Sequence, residues 1–349
     1  MAAQVLKTLL KQRLSLIRKR KKNGGFTVLE LLVATLIATM IVIALLDMVV
    51  DLLETDRREY ARNETQREMQ MALDYMVNDI REAAYVYNDD ELNDVRTFLN
   101  LPADFTPILA FWKPQVISDT DLNALGNCAQ FPTNDPRRTE CEQLIVRRRT
   151  FSLVVYLQKV NADVERQQEW KGISRIARFQ LDKYTQTGII NLEKTDGYVD
   201  PQEQTVTFAS WPRVASTTDN VRGGAPAPGA GNAQGTPQVL VDFVDFPTSS
   251  RTDNLTPPQT PVCPSPNYRR IPPDTDSTFD NPSFMVCVSS TNPTTPPVGG
   301  IPQSNNNTNQ DVLIFLRGNP TGKAGVKVAP LLAIQTQAVA RGVVNKQPQ

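Results

Sequence analysis

The chain has 349 residues, enough for one large or two small domains, and its 37 basic and 37 acidic residues balance. It contains no histidine, which excludes Ser-His-Asp and Cys-His catalysis and any histidine-ligated metal site. Residues 1–25 hold eight Lys and Arg and no acid, so 29 basic and 37 acidic residues remain after them, a formal charge of −8. That balance argues against nucleic acid as the main partner.

A basic block at residues 18–22 is followed by Gly24-Gly25 and then by a long apolar run. From Phe26 to Leu46 the only charged residue is Glu30. A helix of this length, at ~1.5 Å per residue, spans the ~30 Å hydrocarbon core of a bilayer. The run is longer than the core of a secretory signal, and no Ala-x-Ala-type site follows it. We therefore predict a transmembrane helix over 26–46, with the basic block cytoplasmic and the rest of the chain outside the cytoplasm.

The helical pattern continues beyond the predicted span, because no Pro or Gly occurs from Phe26 to Leu101. Apolar residues then recur three or four positions apart, as on one face of an amphipathic helix. They are Met69, Leu73, Met76, Ile80, Ala83 and Tyr87. The sequence predicts that the helix continues over 47–87 and that a sheet in the rest of the chain covers this face. A coiled coil is the alternative.

The polar sequence Asn88-Asp89-Asp90-Glu91 predicts a solvated loop that ends the helix. Together with Asn93 and Asp94 it offers oxygen ligands that Ca²⁺ accepts in proteins. Its spacing does not fit an EF-hand, which needs a central Gly and a Glu at the twelfth position. We predict no metal site and no cofactor.

Residues 88–349 contain short runs rich in β-branched and aromatic residues, bounded by Pro, Gly, Asn and Asp, which predicts β-strands. The predicted strands are Pro107–Trp112, Leu144–Val146 running into Ser152–Lys159, Ile173–Lys183, Thr205–Ala209, Val239–Phe246, Phe284–Val288 and Val312–Arg317. The run Arg147-Arg148-Arg149 between two of them is interpreted as a solvated turn or edge, with contact to an acidic polymer as the alternative. The predicted fold class is α+β, a long N-terminal helix with an antiparallel β-sheet head.

Three low-complexity stretches interrupt the head, at residues 214–237, 247–282 and 289–310. Their Pro, Gly, Ser, Thr and Asn content leaves too little apolar surface to offset the entropy of ordering. They are predicted to be surface loops, partly disordered. Contact with a partner is the functional alternative to simple loop insertion.

All four cysteines follow the predicted span, at Cys128, Cys141, Cys263 and Cys287. An even number fits an oxidising, extracytoplasmic compartment and allows three connectivities. The close spacing favours Cys128–Cys141 and Cys263–Cys287, and free thiols are the alternative. No two cysteines lie two to four residues apart, which argues against a zinc site.

The basic leader, the Gly25-Phe26 junction and Glu30 at the fifth position of the apolar run resemble the cleavage and methylation signature of type IV pilins and pseudopilins. The resemblance implies that a prepilin peptidase cuts between Gly25 and Phe26 and methylates the new Phe26 amine. It also implies that Glu30 pairs with the N-terminal amine of a neighbouring subunit during assembly. Such a pair neutralises two charges that would each be unfavourable in lipid. A plain membrane anchor and a hydrated interfacial Glu30 are the alternatives.

The order of the helix and strands resembles the J-type minor pseudopilins of type II secretion and the related W-type minor pilins. The whole chain is similar to the minor pseudopilins assigned to hormogonium polysaccharide secretion in filamentous cyanobacteria. The resemblance implies a structural subunit that primes or caps a filament driving secretion, with other pseudopilins and an inner-membrane assembly platform as partners. A minor pilin of a surface type IV pilus, acting in adhesion or motility, is the alternative. A membrane-anchored enzyme is a third class, but the head shows no catalytic motif, and we predict no enzyme.

Overall fold

The computed structural model describes residues 25–102, 104–185, 188–202, 206–214, 224–233, 235, 237–247, 251, 253, 255–264, 268–275, 280–289 and 310–340. The predicted leader falls almost entirely outside these residues, as does nearly all of the predicted loop 289–310. The chain divides into two compact units, residues 1–56 and 57–349. As predicted, the fold class is α+β: a long N-terminal helix and an antiparallel sheet.

Helix α1, Val28–Arg81, is the longest element and contains the apolar run. By length and composition it could cross a bilayer. In the first unit every described residue of the helix is exposed. In the second unit the helix buries one face of small and apolar side chains at intervals of three or four residues. These include Ala61, Met69, Leu73, Met76 and Ile80.

The helix ends at Arg81, six residues before the predicted end at Tyr87. Strand pairing accounts for the difference: β1, Tyr85–Val86, pairs antiparallel with β2. The Ala84 and Tyr87 amides donate to carbonyls of β2 rather than to the preceding helical turn. Tyr87 is nevertheless fully buried, so the apolar periodicity correctly marked a core residue but not its secondary structure.

Short helices and strands follow β1, with no helix described after β4 other than short 3₁₀ turns. They are α2 (Asp89–Arg96), β2 (Phe105–Val116), α3 (Asp119–Leu125), α4 (Pro136–Arg147), β3 (Arg149–Val160), α5 (Asp163–Gln168), β4 (Ser174–Leu181), β5 (Gln238–Val244), β6 (Tyr268–Ile271), β7 (Phe284–Ser289), β8 (Gln310–Gly318) and β9 (Leu332–Ala340). The strands form one sheet in the order β1-β2-β3-β4-β5-β8-β7-β6, and β9 also pairs with β8, with which β5 pairs only at Gly318. Every pairing between these strands is antiparallel.

The main core lies where the sheet packs on the C-terminal part of α1. The helix contributes Met69, Met76 and Ile80, and the sheet contributes large residues of β2, β3 and β4 such as Phe111, Trp112, Tyr156 and Phe179. A side chain at Gly318 of β8 would be obstructed, because a Cβ there would overlap the Met69 sulfur and lie 3.2 Å from Thr65 Cγ2. Glycine therefore allows this strand to approach the helix closely.

One predicted strand is a helix. Leu144–Val146 forms the last turn of α4, which begins after the N-cap Asp135 with Pro136 in its first turn. Only Leu144 of the three apolar residues is buried, which suits a helix face and not a half-buried strand. Predicted strand Thr205–Ala209 is not found in its described part, 206–209, and strands β6 and β9 were not predicted.

Parts of the low-complexity stretches are held in the fold. Ala233 accepts a hydrogen bond from the Asn100 amide and donates one to the Phe98 carbonyl. In the second stretch Arg251 donates to Asp245 at 2.5 Å, and the buried Arg317 donates to the Pro258 carbonyl at 3.1 Å. Residues of both stretches therefore make specific hydrogen bonds with the rest of the second unit.

Candidate functional site

The predicted processing junction lies immediately before the first turn of α1. Gly25, Phe26 and Thr27 are outside the helix. The Leu31 amide donates to the Thr27 carbonyl at 3.1 Å, and the Glu30 amide donates to Thr27 Oγ1 at 3.2 Å. Thr27 therefore caps the helix and fixes its start directly behind Phe26. A Cβ at Gly25 would meet no atom within 4 Å, so packing in the described residues does not require glycine there.

Glu30 lies in the first turn of α1 with its side chain exposed. A carboxylate suits this position, because the free amides of a helix N-terminus carry partial positive charge. Within the described part of the chain it has no ion-pair partner. It is surrounded by exposed apolar side chains, including Phe26 and Val33. An apolar surface of this extent needs lipid or other helices to cover it.

In the second unit a buried carboxylate joins α1 to three strands. Asp79 Oδ1 accepts from Lys113 Nζ of β2 at 2.8 Å. Its Oδ2 accepts from Tyr156 Oη of β3 and from Arg178 Nε of β4, each also at 2.8 Å. Lys113 bridges further to Glu82 at 2.8 Å. This Asp79 cluster positions the end of α1 against β2, β3 and β4.

Electrostatics keep this carboxylate ionised. Burial alone would raise the pKa of Asp79, but the hydrogen bonds from Lys113, Arg178 and Tyr156 together hold its pKa below the usual range. Burial and the neighbouring Asp79 charge raise the pKa of Tyr156, so its phenol stays a hydrogen-bond donor. The cluster thus consists of a carboxylate with two cations and one neutral donor, an arrangement suited to a fixed structural joint.

The two disulfides that the spacing favours are present. Cys128–Cys141, with Cα atoms 5.7 Å apart, connects a short 3₁₀ turn to α4 and contributes to a small second core with Phe131, Leu144 and Tyr184. Cys263–Cys287, with Cα atoms 5.6 Å apart, attaches the middle of the second low-complexity stretch to β7.

The acidic sequence after Tyr87 begins a helix, so the prediction of a loop is wrong. Asn88 Oδ1 accepts from the Glu91 amide at 3.0 Å, and Glu91 Oε2 accepts from the Asn88 amide at 2.8 Å, a capping box for α2. Asp89 and Asp90 lie in its first turn, where acids are favourable. Among the described residues no three His, Cys, Asp or Glu side chains are grouped as a metal site would need.

Sequence reasoning missed the Asp79 cluster. Asp79 is not among the apolar positions from which the sequence predicts the buried face, although it directly precedes the core residue Ile80. Its partners follow it by 34, 77 and 99 residues, and no local pattern connects such positions. The available signal was a charge at Lys113, directly after the apolar predicted strand Pro107–Trp112, and another at Arg178 between the apolar Ala177 and Phe179. Charged residues in such places usually have partners.

The chain was compared with known proteins at three levels. No family model matches it, and neither a curated protein nor a solved structure does. The functional assignment therefore depends on the residues and geometry described above.

Proposed function

We propose that this chain is a minor pseudopilin or minor type IV pilin, a structural subunit that primes or caps a filament driving secretion. In this proposal a prepilin peptidase removes residues 1–25. Residues 26–46 then anchor the subunit in the inner membrane, with the sheet-bearing unit outside the cytoplasm. Other pseudopilins and an assembly platform are its partners.

The observation that carries the proposal is the start of α1. The helix begins two residues after Phe26. Cleavage after Gly25 would therefore leave the free amine of Phe26 close to the first turn of the helix. Glu30 is the single carboxylate in an exposed apolar surface and has no partner among the described residues. A lone carboxylate at membrane depth usually has a partner, and the amine of a neighbouring subunit supplies the matching charge.

Glu30→Leu tests this assignment, with Val33→Leu as the matched control on the same exposed surface. Both variants should be cleaved and retained in the membrane, because each keeps or increases apolar character. Glu30→Leu should reduce the amount of other pseudopilins that co-purify at least about tenfold, which corresponds to ~1.4 kcal/mol of association energy. The measurement is a pull-down at matched membrane levels. Unchanged co-purification, or loss of membrane retention, would show that Glu30 has no assembly role.

A further inference from the structure

One corner of the second unit combines exposed apolar and cationic side chains. Val116, the last residue of β2, is 79% exposed and is the register partner of Arg149, the first residue of β3. Val146, in the last turn of α4, is 83% exposed. Arg148 adopts a left-handed conformation (φ 53°) between helix and strand. The chain therefore turns sharply here, with Val146 and Arg147 on one side of the turn and Arg149 on the other.

The charges of this corner are only partly compensated. Arg148 donates to Asp119 at 2.7 Å. Arg147 reaches only the Gln202 amide oxygen, at 3.5 Å, and Arg149 has no hydrogen bond or ion pair with any residue that the structure describes. Arginine next to exposed apolar side chains is typical of protein interfaces, where a guanidinium binds a carboxylate in a fork. A strongly hydrated polyanion would bind the arginines but would not cover the two exposed valines, whereas a protein surface can do both.

The chain itself presents a surface of complementary chemistry in its first unit. Asp47 and Asp51 follow the apolar run and share one helix face, because residues four apart are neighbours about one turn from each other. Both are exposed, and neither pairs with a described residue. Val50 lies between them in sequence and is 59% exposed. Two carboxylates one turn apart beside an apolar side chain match two arginines beside two valines.

We propose that the corner formed by Val116, Val146, Arg147 and Arg149 docks on the Asp47–Leu53 turns of a second copy of the chain. The contact pairs Arg147 and Arg149 with the two aspartates and packs the valines on the apolar side chains between them. This inference rests on the proposed function, since assembly of such a subunit into a filament would bring copies of the chain into contact.

Photo-crosslinking in cells that contain the assembly machinery tests the contact. One tagged copy carries Val146→p-benzoylphenylalanine, and a second copy carries a different tag. Irradiation should give a product containing both tags, with the cross-link mapped by mass spectrometry to residues 47–53. Val164, which is also exposed and lies on α5, provides the control position and should give no such product. A cross-link that maps elsewhere, or no product containing both tags, would overturn the proposal.

Charge exchange provides the second arm. Arg147→Glu with Arg149→Glu in the first copy should lower the yield about tenfold, the equivalent of ~1.4 kcal/mol. Asp47→Arg with Asp51→Arg in the second copy should have the same effect, and combining the two should restore the product. The proposed contact is contradicted if the charge reversals leave the yield of cross-linked product unchanged, or if combining them does not restore it. Leader cleavage and co-purification of other pseudopilins are measured on the same membranes. If both persist while the cross-link is absent, the proposed contact is wrong but the proposed function is not.

Discussion

At the scale of single residues, Asp79 determines how the helix is joined to the sheet. Its carboxylate accepts from Lys113, Tyr156 and Arg178, which belong to three different strands. We expect Asp79→Asn to lower the free energy of unfolding by ~3–5 kcal/mol, because the largely buried Arg178 loses its counter-charge and Lys113 keeps only Glu82. Asp74→Asn, on the exposed face of the same helix, is the control and should change stability little. Chemical unfolding of the detergent-solubilised chain measures both, and equal effects would contradict the role of Asp79.

The same residue should control part of the acid sensitivity. The pKa of Asp79 is lowered from 3.8 in the folded state, so its ionised form stabilises the fold above that pH. The contribution is lost as the pH falls through the lower folded-state pKa. Asp79→Asn should therefore flatten the decrease in Tm below about pH 4. A variant whose Tm follows the wild-type acid profile would show that other carboxylates dominate.

At the scale of elements, one side chain completes the edge of the sheet. Gln310 Oε1 accepts from the Val86 amide at 2.8 Å, and its Nε2 donates to the Val86 carbonyl at 2.9 Å, as a neighbouring strand would do for β1. Gln310→Leu should lower the free energy of unfolding by ~1–3 kcal/mol, because buried Val86 loses both hydrogen bonds. Gln335→Leu, at an exposed position of β9, is the control in thermal unfolding. A smaller loss from Gln310→Leu than from the control would refute this account of β1.

The two disulfides also connect separate elements of the fold. Peptide mapping without reduction should recover Cys128 linked to Cys141 and Cys263 linked to Cys287. Replacing both Cys128 and Cys141 by Ser should lower the free energy of unfolding by ~3 kcal/mol, as expected for a loop of this size, and should loosen the small core around α4. Free thiols at all four positions would contradict both the pairings and an oxidising compartment.

Sequence-based prediction was correct for those elements in which the spacing of apolar residues matches the periodicity of the secondary structure. Residues 152–159 and 312–317 lie within β3 and β8. Met69, Leu73, Met76 and Ile80 lie on the buried face of α1. Prediction failed where tertiary partners decided the outcome. Tyr87 left the helix because β2 offered backbone hydrogen bonds, and Leu144–Val146 became helical because a capped, proline-initiated turn preceded them. The Asp79 cluster was beyond local patterns, because its members are far apart in sequence.

At the scale of the whole molecule, charge and hydrophobicity are divided along the chain. The eight basic residues of 1–25 precede an exposed apolar helix, and the acidic remainder carries the sheet. Cleavage after Gly25 would change the formal charge from zero to −8 and leave the amine at Phe26, four residues from Glu30. A role as a filament subunit therefore requires processing at the Gly25-Phe26 junction.

Intact-mass analysis of the membrane-extracted chain shows whether the leader is removed at this junction. From cells with an active prepilin peptidase we expect a mass that lacks residues 1–25 and carries one added methyl group at Phe26. Gly25→Val should keep the leader, because the peptidase must admit a backbone nearly free of side chain at this position. Recovery of the full-length wild-type precursor from peptidase-containing cells would show that Gly25-Phe26 is not a processing site and would contradict the proposed role as a filament subunit.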